Sequence, residues 1–95
     1  TLTEPMYYIL LALTQECCGV DIMEKVKMIS RGRVKVGPGT LYAMLARFEG
    51  ECIIEKTFEE GRRKSYIITD IGRKMLEEEY NRLKIMLEDG RTYLL

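Results

Sequence analysis

The sequence predicts a mainly α-helical fold with one small β-hairpin, an α+β arrangement. Three segments in its first half carry apolar residues at helical spacing, two runs rich in Ile, Tyr, Phe and Thr flank a charged tip, and a long amphipathic segment follows. The chain has 95 residues, of which 46% are hydrophobic and 32% are charged, a composition typical of a folded domain rather than of disorder. At this length we expect one domain that gains stability from self-association.

Two short helices are predicted to open the fold. Thr3-Glu4-Pro5 begins the first, because a hydroxyl caps free N–H groups, an acid favours the positive end of the dipole and Pro is tolerated there. Apolar residues then recur at intervals of three and four through Gln15. Cys17-Cys18-Gly19 is predicted to be a short break, and the spacing resumes from Ile22 in a second helix that ends near residues 30–32.

A third helix and the hairpin come next. Gly37-Pro38-Gly39 is a strong turn signal, and the apolar spacing that follows predicts a helix from Pro38 to Glu49. Runs 52–58 and 64–69 favour two strands. The residues between them, Glu59-Glu60-Gly61-Arg62-Arg63, are too polar to be buried and form the expected hairpin tip.

The last predicted element is a long helix that Thr69 and Asp70 begin and that continues to about residues 89–90. Four of its residues fall at intervals of four, three and four, the apolar seam of a coiled coil over about two heptads. They are Leu76, Tyr80, Leu83 and Leu87. This seam predicts a homodimer interface, and the alternative is a helix that packs on its own domain.

The order helix, helix, helix, strand, strand is that of a winged helix-turn-helix, in which the third helix reads the DNA major groove and the hairpin is the wing. Residues 1–69 are therefore predicted to form the winged helix-turn-helix DNA-binding domain, and residues 70–95 the C-terminal dimerisation helix of the same compact unit. A twofold dimer would bind an inverted repeat whose half-sites lie roughly 34–36 Å apart.

Five collinear segments carry a family resemblance. They are residues 37–42 (GPGTLY), 45–49 (LARFE), 53–55 (IIE), 62–66 (RRKSY) and 69–73 (TDIGR). Together they resemble the signature of the PadR-like family of bacterial transcriptional regulators, over about residues 10–87. The resemblance implies a winged-helix dimer, usually a repressor, with the C-terminal helix at the dimer interface, and it places the chain in the subgroup with one helix after the wing.

Three positions depart from the family pattern. Val20 stands where an aromatic residue is usual, and Ala43 replaces a frequent Pro. Cys52 occupies a position that is commonly Gly, at the junction of the third helix and the wing, and Gly50 is expected to make the chain reversal instead. These changes concern the exit from the third helix more than the fold.

The net charge is zero, with 15 Lys and Arg against 15 Asp and Glu, which at face value argues against a nucleic-acid partner. Local charge matters more than the sum, because cationic side chains displace counterions from phosphates. Residues 25–47 contain six basic residues and no acid, and residues 62–76 carry a net charge of +4. Both blocks fall on elements that a winged helix presents to DNA, although a solvated face is the alternative for either one alone.

Eight residues are predicted to bind double-stranded DNA: Lys35, Gly39, Thr40, Tyr42, Arg47, Arg62, Arg63 and Lys64. The start of the third helix offers free N–H groups to a phosphate, and Thr40 either reaches the DNA or caps the helix. The resemblance implies that the Tyr42 hydroxyl contacts the DNA backbone, with packing on the wing as the alternative. Ala43 and Ala46 offer no side-chain hydrogen bonds to bases, so specificity would rest on thymine methyls, the wing and DNA shape.

No catalytic, metal or cofactor site is predicted, and the chain is not expected to be an enzyme. It has no His, and three Cys, two of them adjacent, suit neither a disulfide framework nor a structural zinc site. A reducing cytoplasm is the simplest location. The longest apolar stretch, residues 7–13, is too short to span a membrane.

Two further possibilities follow from the last helix. Four of its residues either line a small-molecule effector pocket, as the resemblance to ligand-responsive regulators suggests, or pack in the dimer interface: Met75, Tyr80, Met86 and Tyr93. The alternative to DNA binding is a winged-helix module that holds a protein partner through an acidic face, Glu77-Glu78-Glu79.

Overall fold

The computed structural model describes residues 2–94. Thr1 and Leu95, the outer ends of the two predicted regions 1–69 and 70–95, lie outside the described residues. The elements are, in order, α1 (Glu4–Ala12), β1 (Cys17–Cys18), α2 (Gly19–Ile29), α3 (Pro38–Gly50), β2 (Ile54–Glu60), β3 (Arg63–Ile68) and α4 (Asp70–Leu94). The mainly helical α+β fold that the sequence predicts is confirmed.

The first helix begins where the sequence predicts and ends early. The Thr3 hydroxyl caps α1 by accepting the Met6 N–H at 3.4 Å. α1 stops at Ala12 rather than Gln15, and the carbonyl of Leu13 accepts a hydrogen bond of 2.8 Å from the N–H of Ile68 in β3. The chain thus leaves the helix to join the sheet.

The predicted break at Cys17-Cys18 is instead a strand. β1 pairs antiparallel with β3, with Cys17 opposite Tyr66 and Cys18 opposite Ser65, so the sheet order is β1-β3-β2. Two residues are too few to show a periodic pattern, which is why the sequence did not reveal this strand. Because α2 starts directly after it, β1 joins the helix pair to the wing.

The two strands of the hairpin have their predicted lengths but lie nearer its tip, and the turn between them is tighter than predicted. β2 and β3 pair up to Glu60 opposite Arg63, so only Gly61 and Arg62 make the turn, and Gly61 has the positive φ of 59° that such turns require. A bulge at Thr57 interrupts the ladder. The register sets Glu59 directly across from Lys64.

One hydrophobic core joins every helix to the sheet. The helices contribute mainly Ile9, Leu10, Leu13, Ile22, Val26, Leu41, Leu45, Phe48 and Leu76, and the hairpin region adds Ile53, Ile54, Tyr66 and Ile68. Leu41, Leu45 and Phe48 form the buried face of the third helix. At 5% exposed, Leu76 lies in the core of its own chain and does not belong to the exposed apolar seam.

A tight junction connects the wing to α4. The Thr69 hydroxyl lies 2.7 Å from the carbonyl oxygen of Cys52 and 2.9 Å from that of Ile53, and it accepts the Gly72 N–H at 3.0 Å. The Thr69 N–H also donates to the Ile53 carbonyl, at 3.0 Å. A Cβ on Gly72 would collide with that same carbonyl. The missing side chain at Gly72 therefore lets α4 pack against the backbone of Ile53, and the Thr69 hydrogen bonds hold it there.

α4 has 25 residues and extends beyond its predicted end, because Gly90 stays helical. Its first two turns pack on the core, whereas its C-terminal half is exposed and apolar on one side. The molecule is correspondingly elongated, at 53 × 27 × 19 Å.

The exit from α3 departs from the expectation that Gly50 reverses the chain. Gly50 is the last helical residue, and Cys52 takes the left-handed conformation with φ 60°. The Ile53 N–H donates to the Phe48 carbonyl at 2.8 Å and the Cys52 N–H to the Glu49 carbonyl at 3.1 Å, which together form a Schellman motif. A residue with a Cβ therefore occupies a position that favours glycine.

We expect Cys52→Gly to raise the free energy of unfolding by about 0.5–1 kcal/mol, because it removes the strain of a Cβ in the left-handed conformation. The greater conformational entropy of Gly in the unfolded chain offsets part of this gain. Urea denaturation measures the change. Cys52→Ala is the matched control, because it removes the thiol and keeps the Cβ. Equal stabilities of the Gly and Ala variants would contradict the prediction.

Candidate nucleic-acid interface

The face of α3 opposite its buried residues is exposed and carries few hydrogen-bonding side chains. Tyr42, Ala43, Ala46 and Arg47 lie on it. The two alanines present only methyl groups, as the sequence indicates. The alanines can therefore offer a base only apolar contact, and Tyr42 and Arg47 are the hydrogen-bonding side chains of this face.

The start of α3 leaves backbone donors free. Its N-cap is Gly37, no side chain caps it, and Pro38 occupies the first helical position. Gly39 and Thr40 are exposed. Thr40 lies inside the first turn and is not the N-cap residue, so it does not cap the helix, and its contact with DNA stays a prediction. Free N–H groups at a helix N-terminus favour a phosphate.

Tyr42 packs and remains accessible at the same time. A Cβ on Gly19 would lie 3.4 Å from Tyr42 Cε1 and 3.5 Å from its hydroxyl oxygen, so the ring rests against the start of α2. The side chain is nevertheless 45% exposed. It lines a groove of about 400 Å³ between α2, α3 and the wing, together with Arg62 and Lys64.

The basic residues of the wing fall into two groups. Arg62 and Arg63 are exposed, and neither makes an ion pair within the described residues. Lys64 lies 3.9 Å from the Glu59 carboxylate, which also accepts a hydrogen bond of 2.9 Å from Lys56. That hydrogen bond, with the charges of the two lysines, lowers the pKa of Glu59, and the same bond raises the pKa of Lys56.

Two basic residues of the segment 25–47 also form ion pairs. The Arg33 guanidinium donates to the Tyr8 hydroxyl at 2.9 Å and lies 3.4 Å from the Glu4 carboxylate, and the bond to Tyr8 is the main cause of its raised pKa. Arg47 pairs with Glu51 at 2.9 Å. Lys35 is exposed, with no ion pair in the part of the chain that the structure describes. The segment 25–47 therefore presents less unpaired positive charge at the surface than its six basic residues indicate.

The C-terminal half of α4 presents an apolar surface. Leu83 is 40% exposed and Leu87 is 71% exposed, and Tyr80 lies beside them. Leu83 also borders a groove with Tyr7 and Tyr8 of α1. The surface continues from the part of α4 that packs on the core.

The residues suggested for an effector pocket do not share one cavity within a single chain. Met75 lines a groove near Leu2 and Arg82, and Met86 lines an apolar one of about 640 Å³ near Leu87. The two methionines are eleven positions apart along the helix, a rise of about 16 Å.

The acidic run on α4 does not form one face. Glu77 and Glu78 are exposed, but Glu79 is buried, and its carboxylate forms an ion pair with Arg82. The hydrogen bond from Arg82 is the main cause of the lowered pKa of Glu79. Successive residues also point about 100° apart around a helix.

The thiols are dispersed. Cys18 is buried, Cys52 is exposed, and burial is the main cause of the raised pKa of Cys17. Among residues 2–94, no group of three or more His, Cys, Asp or Glu side chains is placed to hold a metal ion. No helix within those residues is long and apolar enough to cross a membrane.

The chain is similar to solved structures of regulators. A PadR-like transcriptional regulator from Bacillus cereus is 27% identical, with a TM-score of 0.75 and coverage of 93% of this chain and 88% of that one. A PadR-like transcription factor from Bacteroides fragilis is 28% identical, with a TM-score of 0.76 and coverage of 92% and 86%. A transcriptional regulator from Clostridium thermocellum shares the fold, at 20% identity, a TM-score of 0.75 and coverage of 94% and 90%.

A sequence relative is an uncharacterized 37.1 kDa protein in transposon TN4556 of Streptomyces fradiae, 36% identical over 61 residues. The match covers 64% of this chain and 17% of that protein. The family described as "Transcriptional regulator PadR-like family" matches residues 9–78, from the middle of α1 into α4. With the winged helix and these matches together, the chain belongs to the PadR-like family of transcriptional regulators.

Proposed function

We propose that this regulator is a homodimeric, sequence-specific repressor that binds an inverted-repeat operator in double-stranded DNA. The observation that carries the proposal is the groove between α2, α3 and the wing. Tyr42 of the third helix and Arg62 and Lys64 of the wing border it together. A winged helix uses these two elements to follow the major groove and the adjacent backbone.

The proposed phosphate contacts come from both sides of this groove. Arg62 and Arg63 supply charge from the wing, and Lys35 supplies it from the approach to α3. Gly39 allows the backbone to come close, and the Thr40 and Tyr42 hydroxyls add hydrogen bonds. Arg47 and Lys64 reach a phosphate by exchanging their carboxylate partners for it, which makes their contribution smaller.

The proposed dimer forms through the exposed apolar surface of α4, residues 70–95 acting as the dimerisation helix after the DNA-binding region 1–69. Tyr80, Leu83 and Leu87 provide the contact, while Leu76 supports it from the core. An isologous interface gives the twofold axis that an inverted repeat matches, with half-sites roughly 34–36 Å apart.

Release by a small molecule is part of the same proposal. Because Met75 and Met86 line separate grooves in one chain, an effector pocket that uses them, Tyr80 and Tyr93 would be completed by the second subunit. A regulator of bacterial DNA carries out this function in the cytoplasm and needs neither a cofactor nor catalysis.

The first test is retention of the protein on random duplex DNA at low salt. We expect retention, and an affinity whose logarithm falls with the logarithm of the salt concentration at a slope near −7 if about eight phosphates are neutralised per dimer. A flat response would favour the alternative, a winged-helix module that binds a protein partner. Glu77 and Glu78 are exposed and Glu79 is buried in an ion pair with Arg82, so that alternative would rest on two carboxylates. Selection of bound genomic fragments then identifies the operator.

The wing arginines provide a sharper test. We expect the double variant Arg62→Ala, Arg63→Ala to weaken DNA binding roughly 100-fold at 0.1 M salt and to reduce the salt slope by about 3 to 4, since four phosphate contacts per dimer are lost. Titration by fluorescence anisotropy at several salt concentrations measures both quantities.

The matched control is Lys84→Ala, Arg91→Ala, which removes the same charge from the C-terminal half of α4. An equal loss of affinity in both double variants would assign the effect to net charge and contradict a role for the wing. Unchanged binding by the wing variant would contradict it directly.

A further inference from the structure

The groove that we assign to DNA contains one carboxylate. Glu59 borders it beside Tyr42, Arg62 and Lys64. Its position is fixed by the hairpin register, which sets Glu59 directly opposite Lys64. An anionic side chain at a surface proposed to bind phosphates is unfavourable unless it has a specific role, because like charges repel at this distance.

Glu59 makes two contacts with the wing lysines. The Lys56 ammonium donates to one of its carboxylate oxygens at 2.9 Å, and the Lys64 ammonium lies 3.9 Å from the other. The bulge at Thr57 lies between Lys56 and Glu59 in β2. One carboxylate thus holds two of the four basic side chains of the hairpin.

The wing as a whole is nearly neutral. Residues 54–68 contain four basic and three acidic side chains, a net charge of +1. The three acidic residues lie on β2, whereas Arg62 lies in the turn and Arg63 and Lys64 lie on β3, so folding the hairpin brings the two signs together. The cationic strength of the wing therefore depends on which lysines are engaged within the chain.

We propose that Glu59 attenuates DNA binding by the wing, holding Lys56 and Lys64 in intramolecular pairs that a phosphate must displace. The inference rests on the proposed DNA-binding function. A phosphate that approaches Lys64 exchanges one ion pair for another, which reduces the gain from counterion release. Arg62 and Arg63 have no such partner among residues 2–94 and supply the charge that attracts DNA first.

The consequence for function concerns non-specific DNA. Its binding is almost wholly electrostatic, so a carboxylate at the contact surface weakens it more than it weakens a site that also offers base and shape recognition. Glu59 thereby raises the ratio of operator binding to random DNA binding.

The variant that tests this is Glu59→Gln, which keeps the size of the side chain and removes its charge. We expect affinity for random duplex DNA to rise roughly tenfold at 0.1 M salt, with a salt slope steeper by about 1 to 2 per dimer. The matched control is Glu60→Gln, an exposed neighbour with no ion pair among the described residues, for which we expect less than a threefold change. Equal gains in both variants, or no gain for Glu59→Gln, would overturn the proposal.

A second comparison distinguishes pairing from net charge. Lys64→Ala should cost little in the wild-type protein, and roughly tenfold in the Glu59→Gln background, where Lys64 is free to bind phosphate. Equal costs in the two backgrounds would overturn the inference and leave the proposed function intact. If the wild-type protein and all these variants fail to bind DNA at low salt, the proposed function fails and the inference fails with it.

Discussion

We expect Gly72→Ala to lower the free energy of unfolding by about 3 kcal/mol or more, although Ala is normally the better helix former. The added Cβ would collide with the Ile53 carbonyl oxygen and would lie 2.8 Å from Ile68 Cγ1. The carbonyl cannot move away without loss of its hydrogen bonds from Thr69. For a domain of this size the melting temperature should fall by at least about 12 °C.

Gly50→Ala is the control for this prediction. Gly50 is also helical, but a Cβ there would meet nothing within 4 Å. We expect it to raise stability by about 0.5 kcal/mol. Thermal and urea unfolding at one fixed protein concentration measure both variants, since the proposed dimerisation would make the melting temperature depend on concentration. Similar stabilities for the two variants would show that the wing does not lie against the first turn of α4.

The second large effect concerns association. We expect the double variant Leu83→Asp, Leu87→Asp to convert the proposed dimer into a monomer, because two carboxylates from each chain would have to be buried unpaired in the interface. Affinity for an inverted repeat should then fall roughly 100-fold or more, since the two half-sites no longer bind as one unit. Analytical ultracentrifugation measures the first change, and anisotropy with operator DNA the second.

Ile85→Asp is the matched control, because Ile85 is 62% exposed and lies on the other side of α4. We expect it to leave the mass and the affinity unchanged. Dimerisation of the double variant at micromolar concentration would rule out this surface as the interface, and a monomer produced by Ile85→Asp would place the interface on the other side of the helix.

Most of the fold could be predicted from the sequence because its elements carry strong periodic or turn signals. The limits of α3 agree with the prediction to within one residue, and Gly37-Pro38-Gly39 makes that start easy to recognise. β1 could not be predicted, since a two-residue strand exists only through its pairing with β3. Gly90 looks like a helix end, yet it stays inside α4, because a glycine tolerates helical geometry where nothing forces a turn.

The sequence predicts which helices and strands form the candidate site, but it does not predict which of the basic side chains are already in ion pairs. The positive block 25–47 includes Arg33, which pairs with Glu4 across 29 positions of sequence, and no local pattern reveals such a contact. The acidic and basic halves of the hairpin are separate blocks in the sequence and neighbours in the sheet. Tyr42 packs against the start of α2 and is still 45% exposed, so its contact with the DNA backbone stays a prediction.

The junction between the wing and α4 has a mechanical consequence. Only Thr69 separates the end of β3 from the start of α4, and its hydrogen bonds fix the two directions relative to each other. α4 is therefore a rigid rod about 37 Å long whose first turn is held against the wing by hydrogen bonds. A rotation of α4 by about 10° about its wing end moves its C-terminal end by about 6 Å. In the proposed dimer, a small change in the contact between the two copies of α4 would therefore change the angle at which each wing is presented.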